Sequence, residues 1–272
     1  MSGTQTSQGY VSDIPIVRPT LAHALQSEWT KVKTVRSTVW SLIATVGVTV
    51  GIGLLMAANT DDTDYSMNPF TLPSLFGIML GQVGVITLGV LMVASEHGTG
   101  LIRTTFTAAP ERYRVLTAKY LVFSALAFTV TFGSVTLVTL LTMVLHGGPG
   151  AGPHSLGVSA RGLLGGSLYV TLLGVLALAA GALLRHSVGA VTAMLGVVTV
   201  PTIMPTVLLM WETTTGLGRW LIGYSAPVAI STLYGLPADE LSASGPWQLL
   251  VLAVVTATAV TASYRTVRRR DV

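Results

Sequence analysis

The chain has 272 residues, 51% of them hydrophobic and 10% charged, with a formal net charge of +4 and a mean hydropathy of +0.69. A water-soluble domain carries about 25% charged residues, so this surface faces lipid over much of its area, and the apolar segments leave no room for a large soluble domain. With no cysteine in the sequence, disulfides, thiolate metal sites and cysteine nucleophiles are all excluded.

Residues 1–19, rich in Ser, Thr, Gln and Gly, read as a disordered cytoplasmic tail, and residues 20–272 as a single transmembrane domain. The first 37 residues hold no apolar h-region, so no cleavable signal peptide is expected. From Thr20 onward, Leu21, Leu25, Trp29 and Val32 recur at helical spacing, while Gln26, Glu28, Lys31 and Lys33 take the other faces. This pattern predicts an amphipathic helix with Lys31, Lys33 and Arg36 at its membrane end. Trp29 and the basic cluster place it in the membrane interface just ahead of the first span. Six apolar runs follow, at about 39–58, 75–94, 120–145, 163–184, 188–210 and 247–264, and predict an all-α protein with six transmembrane helices. The third run is long enough to tilt or protrude.

A cytoplasmic N-terminus puts every one of the 15 Lys and Arg residues except Arg161 and Arg219 on the cytoplasmic side, which predicts that both termini lie there. On the opposite side, residues 146–155 read as a Gly/Pro-rich loop. Residues 211–246 are semi-apolar and broken by Pro227 and Pro237, so a short interfacial or re-entrant helix is expected around Gly218–Tyr224.

The interiors of the six predicted spans hold no Asp, Glu, Lys, Arg or His. That disfavours ion-coupled carriers, which need titratable or ion-coordinating groups near the midplane, and embedded metalloproteases, which need ligands there. Ser167 has no span histidine to activate it, and no Gly-rich loop ends in Lys-Ser or Lys-Thr, so neither hydrolysis within the membrane nor ATP hydrolysis by this chain is expected. No catalytic residue, metal site or bound cofactor is predicted. Gln82 is the most polar side chain at depth and reads either as a helix contact or as a pathway residue; Thr129, Thr131, Ser134, Thr136 and Thr139 read as packing groups. Gly165, Gly166, Gly174 and Gly181 predict close helix approach by the fourth span. Pro201 and Pro205 are expected to kink the fifth, as simple bends or as a flexing element used in gating.

The longest internal cytoplasmic connection is residues 95–119, SEHGTGLIRTTFTAAPERYRVLTAK. Leu101, Ile102, Thr105 and Phe106 share one side of a short helix, Arg103 lies on another, and Pro110 opens a second helix leading to the third span. Glu96 sits where a carboxylate would pair with Arg103 or with an arginine of the N-terminal helix. An amphipathic knob of this kind suits docking of a soluble partner, although its basic residues also satisfy topology alone.

Two stretches carry a family resemblance. Leu25–Arg36, LQSEWTKVKTVR followed by STVWSL, resembles the start of actinobacterial permease subunits of ATP-binding cassette (ABC) transporters of the type-2 exporter family. Ser95–Lys119 resembles the same family in its Ser-Glu pair, its Gly-Thr-Gly-x-Ile-Arg-Thr-Thr run, and its Ala-Ala-Pro-x-Arg-x-Arg-Val-Leu segment ending in Ala-Lys. The resemblance implies a type-2 permease fold with an N-terminal elbow helix (Leu25, Glu28, Trp29, Lys31, Lys33 and Arg36). It implies a coupling helix around Gly100–Pro110 that inserts into a separate ATPase subunit, with Glu96, Gly100, Leu101, Ile102, Arg103, Phe106, Pro110 and Arg112 at the contact. ATP and Mg would then be bound by that partner. Two permeases, identical or paralogous, would pair in the plasma membrane around a substrate path lined by the first, second and fifth spans, which carry Gln82, Pro201 and Pro205. No nucleic-acid partner is expected. The rival readings are a non-transporting membrane scaffold or assembly factor, and a membrane-embedded enzyme.

Overall fold

The computed structural model describes residues 20–61, 65, 68–98, 112–147, 156–184, 186–236 and 244–269. Among them there is no β-strand. The helices are α1 (Leu21–Thr34), α2 (Arg36–Ala58), α3 (Leu72–Gly98), α4 (Arg112–His146), α5 (Leu156–Leu184), α6 (Ser187–Leu208), α7 (Thr215–Gly223), α8 (Ala226–Leu233) and α9 (Gly245–Arg269). Six of these, α2 to α6 and α9, contain stretches long and apolar enough to cross a membrane. Each overlaps one of the six predicted apolar runs. The predicted disordered tail lies outside the described residues.

The spans divide into a centre and a rim. In α3 and α5, 61% of the most apolar 18-residue window is buried, against 22% in α2 and 17% in α6 and α9. The reason is side-chain size. Lipid is as apolar as leucine, so helices associate in it by close packing and not by burying oil from water. Small residues on α3 and α5 permit that closeness. A Cβ at Gly77 would collide with the Thr49 carbonyl oxygen of α2, and Cβ atoms at Gly81 and Gly84 would collide with the hydroxyls of Thr49 and Thr45. Between α3 and α5, a Cβ at Gly89 would collide with the Gly174 carbonyl oxygen, and one at Gly181 would stand 3.0 Å from the Val90 carbonyl oxygen. The glycines of the fourth span do mark close approach, as expected. The nearest approach to α2, however, is set by the glycines of the second span.

Rim helices attach along narrow stripes. In α2 the buried residues are Thr45, Thr49, Gly53 and Ala57, one every fourth position. In α6 they are Ala190, Met194, Val198 and Pro205, while Val197, Val200 and Ile203 are exposed. α6 stays a single helix through Pro201 and Pro205. α4 has 35 residues, about 52 Å at 1.5 Å per residue, well beyond the roughly 30 Å of a hydrocarbon core, a length that requires it to tilt or protrude as the sequence implied.

Among the described residues, the connection between α6 and α9 contains a 3-10 turn (Glu212–Thr214) and two short α-helices where the sequence indicated one helix. α7 covers the expected Gly218–Tyr224 region and presents Leu217 and Trp220 outward, with the Trp220 and Tyr224 rings 5.2 Å apart, as in an interfacial aromatic belt. α8 was missed because Pro227 reads as a breaker. It stands instead in the first turn of α8, where a missing N–H costs nothing. α8 buries Ala226, Ala229, Ile230 and Leu233 against α3, α5 and α9. It ends in a Schellman motif: Gly235, at φ 80°, allows its own N–H to bond the Thr232 carbonyl at 3.2 Å and the Leu236 N–H to bond that of Ser231 at 3.1 Å. Tyr234 then projects across the bundle, its ring over Gly166 and its hydroxyl 3.4 Å from the Ser74 hydroxyl. Burial pushes the Tyr234 phenol well above its ordinary pKa, and it stays a neutral plug.

Candidate functional site

Among the described residues, the buried charge is shared between α1 and α4. Taking Leu25 as reference, a 100° step per residue puts Val32 at about −20° and Glu28 at about −60°, with Trp29 on the far side at about +40°. The bundle meets the Leu25–Val32–Glu28 side. Glu28 and Val32 are buried, Leu25 packs on the core, and Trp29 is 44% exposed. This corrects the sequence reading of Glu28, which was set on a face apart from the Leu25–Val32 stripe.

Glu28 is turned inward because cations meet it there. The Lys119 ammonium of α4 donates to Oε2 at 2.7 Å and the Lys31 ammonium to Oε1 at 2.7 Å. Lys119 also donates to the Met92 carbonyl of α3 at 3.2 Å. Glu28 and Lys119 are the only charged side chains buried among the described residues, at 1% and 3% exposure; Lys31 keeps a third of its side chain in contact with the surroundings. A carboxylate and an ammonium out of water tolerate burial only when both are closely bonded, and this geometry meets that need.

The position of this node matters more than its energy. Met92 lies six residues before the described end of α3, and Lys119 seven residues into α4. One ammonium therefore joins α1 to both stems of the connection 99–111. On its other side the base of α4 is bonded to α9: the Tyr120 hydroxyl meets the Ser263 hydroxyl and the Thr117 hydroxyl meets that of Tyr264, both at 2.8 Å, with the Tyr120 and Tyr264 rings 5.9 Å apart. The α1–α2 corner is sharp. Val35 is extended (φ −78°, ψ 112°), so α1 ends at Thr34 and Arg36 already begins α2, although the sequence pattern ran the helix through Arg36. Outward, the Lys33 ammonium lies 4.9 Å from the Trp29 ring centre, an amphipathic pair suited to a bilayer interface.

Of the predicted docking residues, Gly100, Leu101, Ile102, Arg103, Phe106 and Pro110 lie outside the described residues. Glu96 and Arg112 belong to α3 and α4 by backbone, but their side chains lie outside them too, as does the expected Glu96–Arg103 pair. The elbow residues are all present, and Glu28, Lys31 and Lys119 are brought together. Lys119, Tyr120 and Tyr264 escaped the sequence reading. The available signal was a lysine directly abutting an apolar run, where topology alone already explained it.

Gln82 is 3% exposed inside the bundle, its amide donating to the Met79 carbonyl at 2.8 Å. Pro205 is buried and Pro201 half-buried, on a helix whose other faces are open. No group of three or more His, Cys, Asp or Glu stands together among the described residues. Compared with protein-family models and with curated proteins, the chain shows no match.

Proposed function

We propose that this chain is the permease subunit of an ABC exporter. In this reading it lies in the plasma membrane with both termini in the cytoplasm and pairs with a second permease, identical or paralogous, to form a substrate path. It is driven by a separate ATPase subunit that docks on residues 95–119 and supplies the ATP and Mg. The observation that carries the reading is the Glu28–Lys119–Met92 node. A docking segment transmits work only if its stems resist displacement, because a loop on free stems absorbs a push. Here both stems are tied by buried bonds to a helix that leads directly into the first span, so displacement at 99–111 reaches α1, α2, α3 and α4 together. The stripe-like attachment of α6 supports the same reading, since a helix held along a narrow line can rock with little loss of packing.

Arg103→Glu and Phe106→Asp in the full-length chain test it. Each is expected to lower recovery of an ATPase subunit with the tagged chain by about tenfold or more, the effect of losing a contact worth roughly 1.4 kcal/mol or more. Full ATPase association and transport by both variants would overturn the docking role. Failure to recover any ATPase with the unmodified chain would favour a scaffold.

A further inference from the structure

We propose that the outer face of α9 holds an anionic phospholipid, with an acyl chain along Ala257, Thr258 and Thr261 and the phosphate on the Arg265 guanidinium. A groove of about 730 Å³ runs along this face, from Val254 past Ala257, Thr258, Thr261 and Ala262 to Arg265. These positions recur every three or four residues and so share one side of the helix. Trp247 and Leu250 are exposed further along the same side. Large side chains therefore cover one half of this face and small ones the other. Trp247 and Arg265 are 18 residues apart, about 27 Å along the axis and close to the roughly 30 Å of a hydrocarbon core. The recessed stretch from Ala257 to Arg265 takes about 12 Å of that, within the depth of a single leaflet. It ends near the bilayer midplane, where an acyl chain also ends.

The polarity of the groove is concentrated at its mouth. Its threonines turn back on their own helix: Thr258 donates to the Val254 carbonyl and Thr261 to the Ala257 carbonyl, each at 2.8 Å. Neither hydroxyl then has a proton to offer a ligand. Arg265 differs from both. It is exposed at the end of the apolar span, and it makes no hydrogen bond or ion pair among the described residues. Its neighbour Tyr264 meets Thr117 at the base of α4, which sets Arg265 at the level where the bundle leaves the hydrocarbon. A guanidinium at that boundary is best answered by an anion, and its planar fork matches two oxygens of a phosphate. A slot with apolar depth and one cation at its mouth complements a molecule with an apolar chain and an anionic head.

Two other occupants fit this face less well. Copies of the chain in one bilayer pair about an axis along the membrane normal, which would set Arg265 against Arg265. A helix of another protein would run along the whole of α9 and would need small residues throughout. Trp247 and Leu250 project where that helix would pass. A lipid needs only the recessed half. The site is independent of whether an ATPase drives the chain, and its test requires none.

Native mass spectrometry of the purified full chain in detergent tests the site, by titration with phosphatidylglycerol and separately with phosphatidylcholine of the same acyl chains. The unmodified chain is expected to bind phosphatidylglycerol more tightly than phosphatidylcholine. Arg265→Gln is expected to weaken phosphatidylglycerol about fivefold, the worth of one basic residue beside an anionic lipid. Phosphatidylcholine, whose choline offsets its phosphate, should weaken less. Thr261→Leu keeps the charge and fills the groove, so it should weaken both lipids. Equal binding of the two lipids by the unmodified chain would overturn the proposal. A loss in Arg265→Gln with none in Thr261→Leu would also overturn it, by reducing the effect to surface charge. A dimer of the chain that Thr261→Leu abolishes would seat a second copy in the groove in place of the lipid. Should Thr261→Leu fail to fold, Ala257→Leu fills the same groove one turn away and is read by the same criteria.

Discussion

Glu28→Leu is expected to lower stability by about 3–5 kcal/mol, because it removes the carboxylate that answers the buried Lys119 ammonium at 2.7 Å. Lys119→Met is expected to cost less, since Lys31 still answers the carboxylate at 2.7 Å. Lys31→Ala should cost about 1 kcal/mol or less, as Lys31 is partly exposed and its bond is screened. The decisive variant is the double change, Glu28→Leu with Lys119→Met. Two apolar side chains of similar volume remove both desolvation penalties at once, so the double variant is expected to recover most of the stability lost by Glu28→Leu. Melting temperatures of the four variants in one detergent measure this. A double variant as unstable as the sum of its singles would show that the two side chains do not act as a pair.

The contrast between what the sequence shows and what it hides follows from the kind of signal each element leaves. The six spans are visible because the bilayer imposes one length and one polarity on every crossing helix, and these are properties of a single segment. The basic residues at one end were equally visible, but their roles were not. Lys119 counts toward the charge asymmetry whether it faces water or Glu28, so topology concealed its pairing. Glu28 was misplaced for a related reason: helical spacing locates a stripe but not which edge of it meets the bundle, and the edge was decided by a residue 91 positions away. α8 was hidden by Pro227, whose meaning depends on whether it stands at the start or the middle of a helix. In the fourth span, the glycines announced close packing but not its partner. Gly162 and Gly166 turn out to face Tyr234, far along the chain, and only Gly174 and Gly181 face α3.

Gly77→Ala is expected to disrupt the α2–α3 seam more severely than Gly81→Ala, and the two should differ in whether they can be repaired. The added methyl at Gly77 meets the Thr49 carbonyl oxygen and carbon and the Gly53 nitrogen, all backbone, so the helices must separate along their whole contact. Overpacking of this kind costs about 1–3 kcal/mol where side chains yield, and more where backbone is the obstacle. At Gly81 the first atom met is the Thr49 hydroxyl, which is held in place by its bond to the Thr45 carbonyl at 2.8 Å. Thr49→Ala removes that hydroxyl and leaves the carbonyl where it is. Combining it with Gly81→Ala is therefore expected to restore much of the lost melting temperature, whereas combining it with Gly77→Ala restores none. Gly51→Ala and Gly133→Ala, where nothing lies within 4 Å of the new methyl, serve as controls and should be neutral or stabilising by up to about 1 kcal/mol, since alanine is the better helix former. Equal neutral or stabilising effects at Gly77, Gly81, Gly51 and Gly133 would mean that helix propensity, and not the distance between α2 and α3, decides the outcome. A rescue of Gly77→Ala by Thr49→Ala would place the closest approach at the side chain and not at the backbone, and would require α2 to sit farther from α3 than this packing has it.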